Sequence, residues 1–205
     1  MRSSRSRLTS FVARRRLNDR GQVLAEVGLV LPLLTMLLVG TLQFGYQLYQ
    51  AHVVNKVARE AANMLSRQVS LDATGTAIHD WAVPHLGAFD SNAKLILTVL
   101  QVGASGSNAN KTIIAQRLVV GNLAGSSVLG NPPSGAFANT ANHPALDPAE
   151  NGALVATTPL PNGLTLNAAD TIYVAELFID RRDIATITWP ISITFSDTLY
   201  GRAFF

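Results

Sequence analysis

The stretch "RGQVLAEVGLVLPLLTMLLVG", residues 20–40, decides how this chain must fold. An arginine and a glycine open it, a carboxylate follows at Glu26, and apart from Gln22 and Thr35 the remainder is apolar. No Asp, Glu, Lys or Arg occurs from residue 27 to residue 55. The densest part, residues 27–44, is as a helix about 27 Å long, close to the ~30 Å hydrocarbon core of a bilayer. The competing reading is a buried helix of a soluble protein. The distribution of charge decides between the two.

Residues 1–20 hold seven arginines against Asp19, a net charge of +6. The whole chain carries +3, so everything after residue 20 carries −3. A basic segment placed directly before an apolar one reads as a topology signal, with the arginines cytoplasmic and the following chain carried across. No aromatic residues are interleaved with the arginines as a stacking surface for nucleic acid would require, so no nucleic-acid partner is expected. A cleaved secretory signal needs a short apolar region and a small-residue site of A-x-A type. The sequence "VGTLQFGYQLYQAHVV" after Leu38 contains none. The other candidate cut lies before the apolar run, between Gly21 and Gln22. Pro32 is best tolerated near a helix start; a helix beginning near Gln22 would place it inside, where a kink is expected.

Gly21 closes the basic leader, Glu26 is the fifth residue after it, and the apolar helix begins next. This is similar to the processing site of type IV prepilins, where a membrane-embedded aspartic peptidase cuts after the glycine. Residues 20–67 resemble the TadE-like pseudopilins of tight-adherence (Tad/Flp) pilus systems. The matching features are Glu26 beside the glycine, "VLPLL" at 30–34, "FGYQLYQ" at 44–50 and "VAREAA" at 57–62. The resemblance implies a minor pseudopilin of the bacterial inner membrane, with leader 1–21, a spine helix over 22–70 and an extracytoplasmic domain over 71–205. It implies cleavage after Gly21, Gln22 as the mature N-terminus, and a role for Glu26 in setting subunit register. Prepilin peptidase, other pilins or pseudopilins and the assembly platform would be the partners. An uncleaved single-pass anchor presenting a binding or adhesion domain, and a type II secretion pseudopilin, are the alternatives.

The position of Glu26 has its own physical reading. A carboxylate at the bilayer centre costs about 2.5–3.5 kcal/mol, and less near the edge. Glu26 lies one helical turn from Gln22, on the same face. Cleavage after Gly21 would create an ammonium at Gln22, and that ammonium, or a neighbouring subunit's, would offset the cost.

Beyond the apolar run, Val53, Val54, Val57, Ala61, Leu65 and Val69 recur at helical spacing, so the helix is expected to continue beneath a globular domain. "DATGTAIHDWAVPHLG" (72–87) suggests a short second helix interrupted near Pro84. "AKLILTVLQV" (93–102) and "KTIIAQRLVV" (111–120) form a hairpin candidate around a turn-rich linker. Residues 121–151 are rich in Gly, Ser, Asn and Pro and read as a long surface loop. "ALVATT", "TIYVAELFID", "TWPISITF" and "TLYGRAFF" supply further strands. The expected class is α+β, a long helix against a mostly antiparallel sheet.

Catalysis finds little support in the residues. Cysteine is absent, which removes disulfides and thiolate metal sites. His79, His85 and His143 form no H-E-x-x-H pair, and no Walker loop, G-x-S-x-G or dinucleotide glycine pattern occurs. His79 with Asp80 suits a solvated or capping role better than metal ligation. "DPAEN" lacks the ligand spacing of a calcium loop. No enzyme activity, metal or cofactor is expected.

Overall fold

The computed structural model describes residues 5–86, 89–133, 135–137, 142–157, 160, 166–168, 170–180 and 198–205, with 5–20 and 84–86 described by their backbone. The chain divides into two compact units, Met1–Gln47 and Leu48–Phe205. Helix α1 (Arg5–Ser66) contributes to both, with Pro32 inside it. Helix α2 (Leu71–Leu86), the short α3 (Phe89–Asn92) and strands β1 (Ala93–Val102), β2 (Thr112–Val120), β3 (Thr171–Asp180) and β4 (Thr198–Phe204) complete the described elements. The strands form one antiparallel sheet in the order β2-β1-β3-β4. The fold is α+β, a long N-terminal helix on an antiparallel sheet, as expected.

In the second unit, the stripe read from the sequence is the buried face of α1. Val54, Val57, Ala58, Ala61, Ala62 and Leu65 join Leu71, Ile78 and Ala82 of α2 against Leu95, Leu97, Val99, Ala175 and Leu177 of the sheet. Val69, the last residue of the expected stripe, lies past the helix end, because Gln68 turns into the left-handed region (φ 64°) and breaks the helix. The alanines allow close packing, and Gly201 of β4 extends this. A side chain there would meet Val54 Cγ1 at 2.8 Å and the Val54 backbone carbonyl at 3.1 Å.

The opposite face of the central strands is also buried. Leu100, Ile114, Ile172 and Val174 pack with Leu129 and Leu160 of the long connection between β2 and β3. Covering on both sides explains why β1 and β3 read as nearly unbroken apolar runs. In β2 the register shifts opposite Val99 and Leu100, leaving Ala115 as the extra residue of a bulge. The long connection, expected as a surface loop, is in part a covering layer: Ser127, Leu129 and Ala136 are buried.

Ion and hydroxyl chemistry holds that layer in place. Glu176 of β3 is fully buried and Arg117 of β2 is 6 % exposed. Ser127 joins them. Its hydroxyl donates to Glu176 Oε2 and accepts from Arg117 Nη2 at 3.2 Å and from Leu129 N at 3.2 Å, so its one donor and two acceptor positions are filled. Arg117 also donates to Thr98 Oγ1 (3.2 Å) and to the Gly130 carbonyl (2.7 Å). Glu176 Oε1 accepts from Val128 N (3.1 Å) and the Tyr200 hydroxyl (2.8 Å). Burial lowers the Arg117 pKa to about 10, opposed by the charge of Glu176. Burial, then the hydrogen bond to Glu176 and its charge, push the Tyr200 phenol above the ordinary tyrosine range.

Three sequence expectations change. "ALVATT" is not a strand: Gly152–Leu154 is a 3-10 turn, capped by Asn151 accepting from Ala153 N, and Val155 makes a single bridge to Ile113. The second helix is not interrupted at Pro84 but runs to Leu86. The spine helix ends at Ser66 rather than near residue 70. "TWPISITF", residues 188–195, lies outside the described residues.

Gly201→Val is expected to destabilise the fold by about 1–3 kcal/mol, because the new side chain meets helix backbone as well as a movable methyl. Denaturant unfolding of the detergent-solubilised chain, followed by tryptophan fluorescence, measures it; adding Val54→Ala should recover only part of the loss. Glu176→Ala should cost about 3–5 kcal/mol in the same assay, since it leaves the Arg117 charge buried without its counter-charge. Tyr200→Phe should cost about 1 kcal/mol at neutral pH, the hydroxyl being one donor to a charged acceptor at a half-exposed site. A phenol whose pKa is raised on folding contributes its stability fully below the unfolded value of about 10 and loses it at higher pH. The gap between wild type and Tyr200→Phe should therefore narrow as pH rises past about 10.

Candidate functional site

The candidate site is the stretch of α1 that carries Gly21, Gln22 and Glu26. The backbone is helical on both sides of Gly21, and the space where a side chain would project from Gly21 is open. The structure brings Gln22 and Glu26 together: Gln22 Nε2 donates to Glu26 Oε1 at 3.0 Å, one turn along the helix. The i, i+4 geometry read from the sequence is thus present, with both side chains exposed.

Past Glu26 the helix is apolar and uncovered. Val27, Leu29, Leu31, Leu33, Leu34, Leu37 and Leu38 are all more than half exposed. The most apolar 18-residue window of the helix has a mean hydropathy of 2.2, and none of it is buried. A core helix of a soluble protein would have a protein partner for such a face. The polar side chains within the run satisfy themselves locally. Thr35 Oγ1 donates to the Leu31 carbonyl and Thr41 Oγ1 to the Leu37 carbonyl, each at 2.8 Å. That arrangement suits a medium with no water to bond to. Among the described residues this is the one helix long and apolar enough to cross a membrane, and it fits a membrane anchor.

The other candidate groups have local partners. His79 lies between Asp80 (3.3 Å) and Asp90 (3.5 Å), edge-on to Phe89, and so ties α2 to α3. His143 Nε2 accepts from Gln116 Nε2 at 2.8 Å. The side chain of His85 lies outside the described residues. In "DPAEN", Asp147 Oδ1 accepts from Ala149 N (2.9 Å). Buried Asn108 clasps the same loop, donating from Nδ2 to the carbonyls of Pro148 (3.0 Å) and Asn151 (2.9 Å). Among the described residues, no cluster of three or more His, Asp or Glu could hold a metal. A cleft of about 370 Å³ lies along β2, between Lys94, Val119, Pro132, Pro133 and Phe137. Its Lys94 ammonium already donates to the Gly125 carbonyl at 2.7 Å.

The Arg117–Ser127–Glu176 group is absent from the sequence reading. Its signal was available: inside "TIIAQRLVV" and "TIYVAELFID", short of the terminal Asp180, a single charge stands where an apolar strand residue is expected. A pair of such charges on two different strands points to a buried pairing.

No curated protein and no solved structure shows a significant match to the chain. The family model described as TadE-like protein matches residues 21–63, so the TadE-like resemblance read from the sequence is borne out over the segment that begins at Gly21 and carries Gln22, Glu26 and the exposed apolar helix.

Proposed function

We propose that this chain is a minor pseudopilin of a Tad/Flp-type pilus, matured by prepilin-peptidase cleavage after Gly21. One observation carries the reading: an exposed apolar run headed by a carboxylate, Glu26, one turn past Gln22, inside the segment that matches the TadE-like model. In this reading the arginine-rich leader stays cytoplasmic, the apolar run crosses the inner membrane, and Leu48–Phe205 is extracytoplasmic. The chain is an assembly subunit rather than an enzyme. Its partners are the peptidase, other pilins or pseudopilins and the assembly platform, to which it adds a subunit held in lipid until it is built into or beneath the pilus.

Glu26 is the register element. Cleavage places an ammonium one turn from a carboxylate that is costly in hydrocarbon. Pairing with that ammonium, its own or a neighbour's, is stabilising only in the correct axial register.

A second reading has a specific observation in its favour. The helix passes through Gly21 and Gln22 without a break, and a helical peptide bond must unwind locally to enter a peptidase. An uncleaved anchor needs no such opening. It would present Leu48–Phe205 as a binding or adhesion domain.

Peptide mass analysis of the membrane-extracted chain distinguishes the two readings. A terminus at Gln22 is expected; recovery only of chains that retain residues 14–20, from cells with a working peptidase, refutes cleavage. Glu26→Ala is expected to insert and to be processed at wild-type levels, yet to lose co-purification with partner pilins and surface piliation. Glu26→Asp should be intermediate, because the charge is kept on a shorter arm. Normal assembly of Glu26→Ala would reduce Glu26 to an interfacial charge.

A further inference from the structure

We propose that Glu26 also protects the mature N-terminus chemically, by holding the Gln22 carboxamide away from its own α-amine. This inference rests on the reading that the chain is cut after Gly21. The cut would leave glutamine, with a free amine, as the first residue. Such a terminus can close on itself. The α-nitrogen attacks side-chain Cδ, a new N–Cδ bond forms and the Cδ–Nε2 bond breaks. Nε2 then leaves as ammonia, taking the proton shed by the attacking nitrogen. No oxidant or co-reactant is required. The product is a five-membered lactam with no basic nitrogen. The ammonium that would pair with Glu26 no longer exists.

The geometry at the site opposes this closure in two ways. Gln22 Nε2 donates to Glu26 Oε1 at 3.0 Å, four residues toward the C-terminus. The carboxamide is thereby drawn along the helix toward residue 26, whereas cyclisation needs Cδ folded back onto the Gln22 nitrogen. Both side chains are exposed, so no packing fixes the glutamine rotamer in place of this bond. The carboxylate also favours the charged form of a nearby amine, and an ammonium has no lone pair with which to attack. A glutamine at this position therefore cyclises more slowly with an acceptor one turn away. Glu26 is then a positioning residue for the terminus as well as its counter-charge.

The experiment uses the chain released from a cleavable N-terminal fusion so that Gln22 is its first residue, held in detergent micelles at mildly alkaline pH. The mass of the N-terminal peptide is followed with time. Glu26→Ala is expected to lose one ammonia several-fold faster than wild type. Glu26→Gln, which still accepts from Nε2 but carries no charge, should fall between them. Equal rates for wild type and Glu26→Ala would overturn the proposal. A parallel measurement on membrane-extracted protein separates it from the cleavage reading. Failure to find any peptide beginning at Gln22 in cells counts against cleavage after Gly21, whereas the released chains test the protection of Gln22 by itself.

Discussion

The contact of Val54 with Gly201 sets the spacing on which the second unit depends. Helix and sheet approach there until a single added carbon on Gly201 would strike helix backbone. That approach buries Ala58, Ala61 and Ala62 completely, although alanine has little surface to contribute. The larger residues on either side, Val54, Val57 and Leu65, then reach the central strands, and each such buried side chain is worth about 1.5–3 kcal/mol. A bulkier stripe would hold the helix further out and leave Leu95, Leu97 and Leu177 partly wet. Small residues on the helix and a glycine on the edge strand are thus one solution to one packing problem.

With one face of the sheet closed by helices, the other face needs a cover made from a segment poor in regular structure. Apolar contacts through Leu129 and Leu160 supply part of it. The rest is a polar lock whose parts are mutually dependent. The Ser127 hydroxyl bonds only because a buried acid accepts from it and a buried guanidinium donates to it. Glu176 is tolerable at zero exposure because three donors converge on its two oxygens. Two opposite charges buried together and bridged by the Ser127 hydroxyl are a poor source of net stability but penalise alternative loop placements strongly, since each leaves a charge without partners. That specificity is what a connection rich in Gly, Ser, Asn and Pro cannot draw from its own backbone preferences.

Most of the secondary structure is legible in the sequence, for physical reasons that also explain the failures. The long helix, the β1–β2 hairpin, β3 and β4 announce themselves by period and by the turn residues that bound them. "ALVATT" has strand composition, yet the Asn151 cap and Gly152 make its first residues a turn, a local preference that overrode β propensity. The end of α1 at Ser66 was hidden because Val69 continues the apolar rhythm; the break is made by Gln68, a residue with no special liking for positive φ. The loop as a covering layer was not legible at all. Its buried members, Ser127, Leu129 and Ala136, are spaced without period, and they are buried only because the sheet beneath them has a second apolar face. At the candidate site the residue pair was legible from spacing alone, since four residues on a helix fix the geometry whatever the surroundings.

Glu176 and Glu26 solve the same problem differently, and Glu176 shows by contrast the balance that Glu26 still needs. Each is a carboxylate in a segment that is otherwise apolar. Glu176 is well supplied: two hydroxyls and a backbone amide donate to its two oxygens, and the charge of a buried arginine opposes its own. Glu26 has, among the described residues, one neutral donor, the amide of Gln22. A neutral amide satisfies one lone pair and leaves the charge unbalanced. In water that is no burden. In the headgroup edge of a bilayer, with apolar side chains following directly, the missing balance is worth a large share of the cost of inserting the carboxylate. Under the proposed cleavage, an ammonium one turn away would supply charge and donors together, and a subunit bringing its own ammonium to the same depth would supply them across an interface. On the proposed reading, the carboxylate is half of a pair whose other half would appear on maturation or assembly, beside the Gln22 amide that donates to it at 3.0 Å.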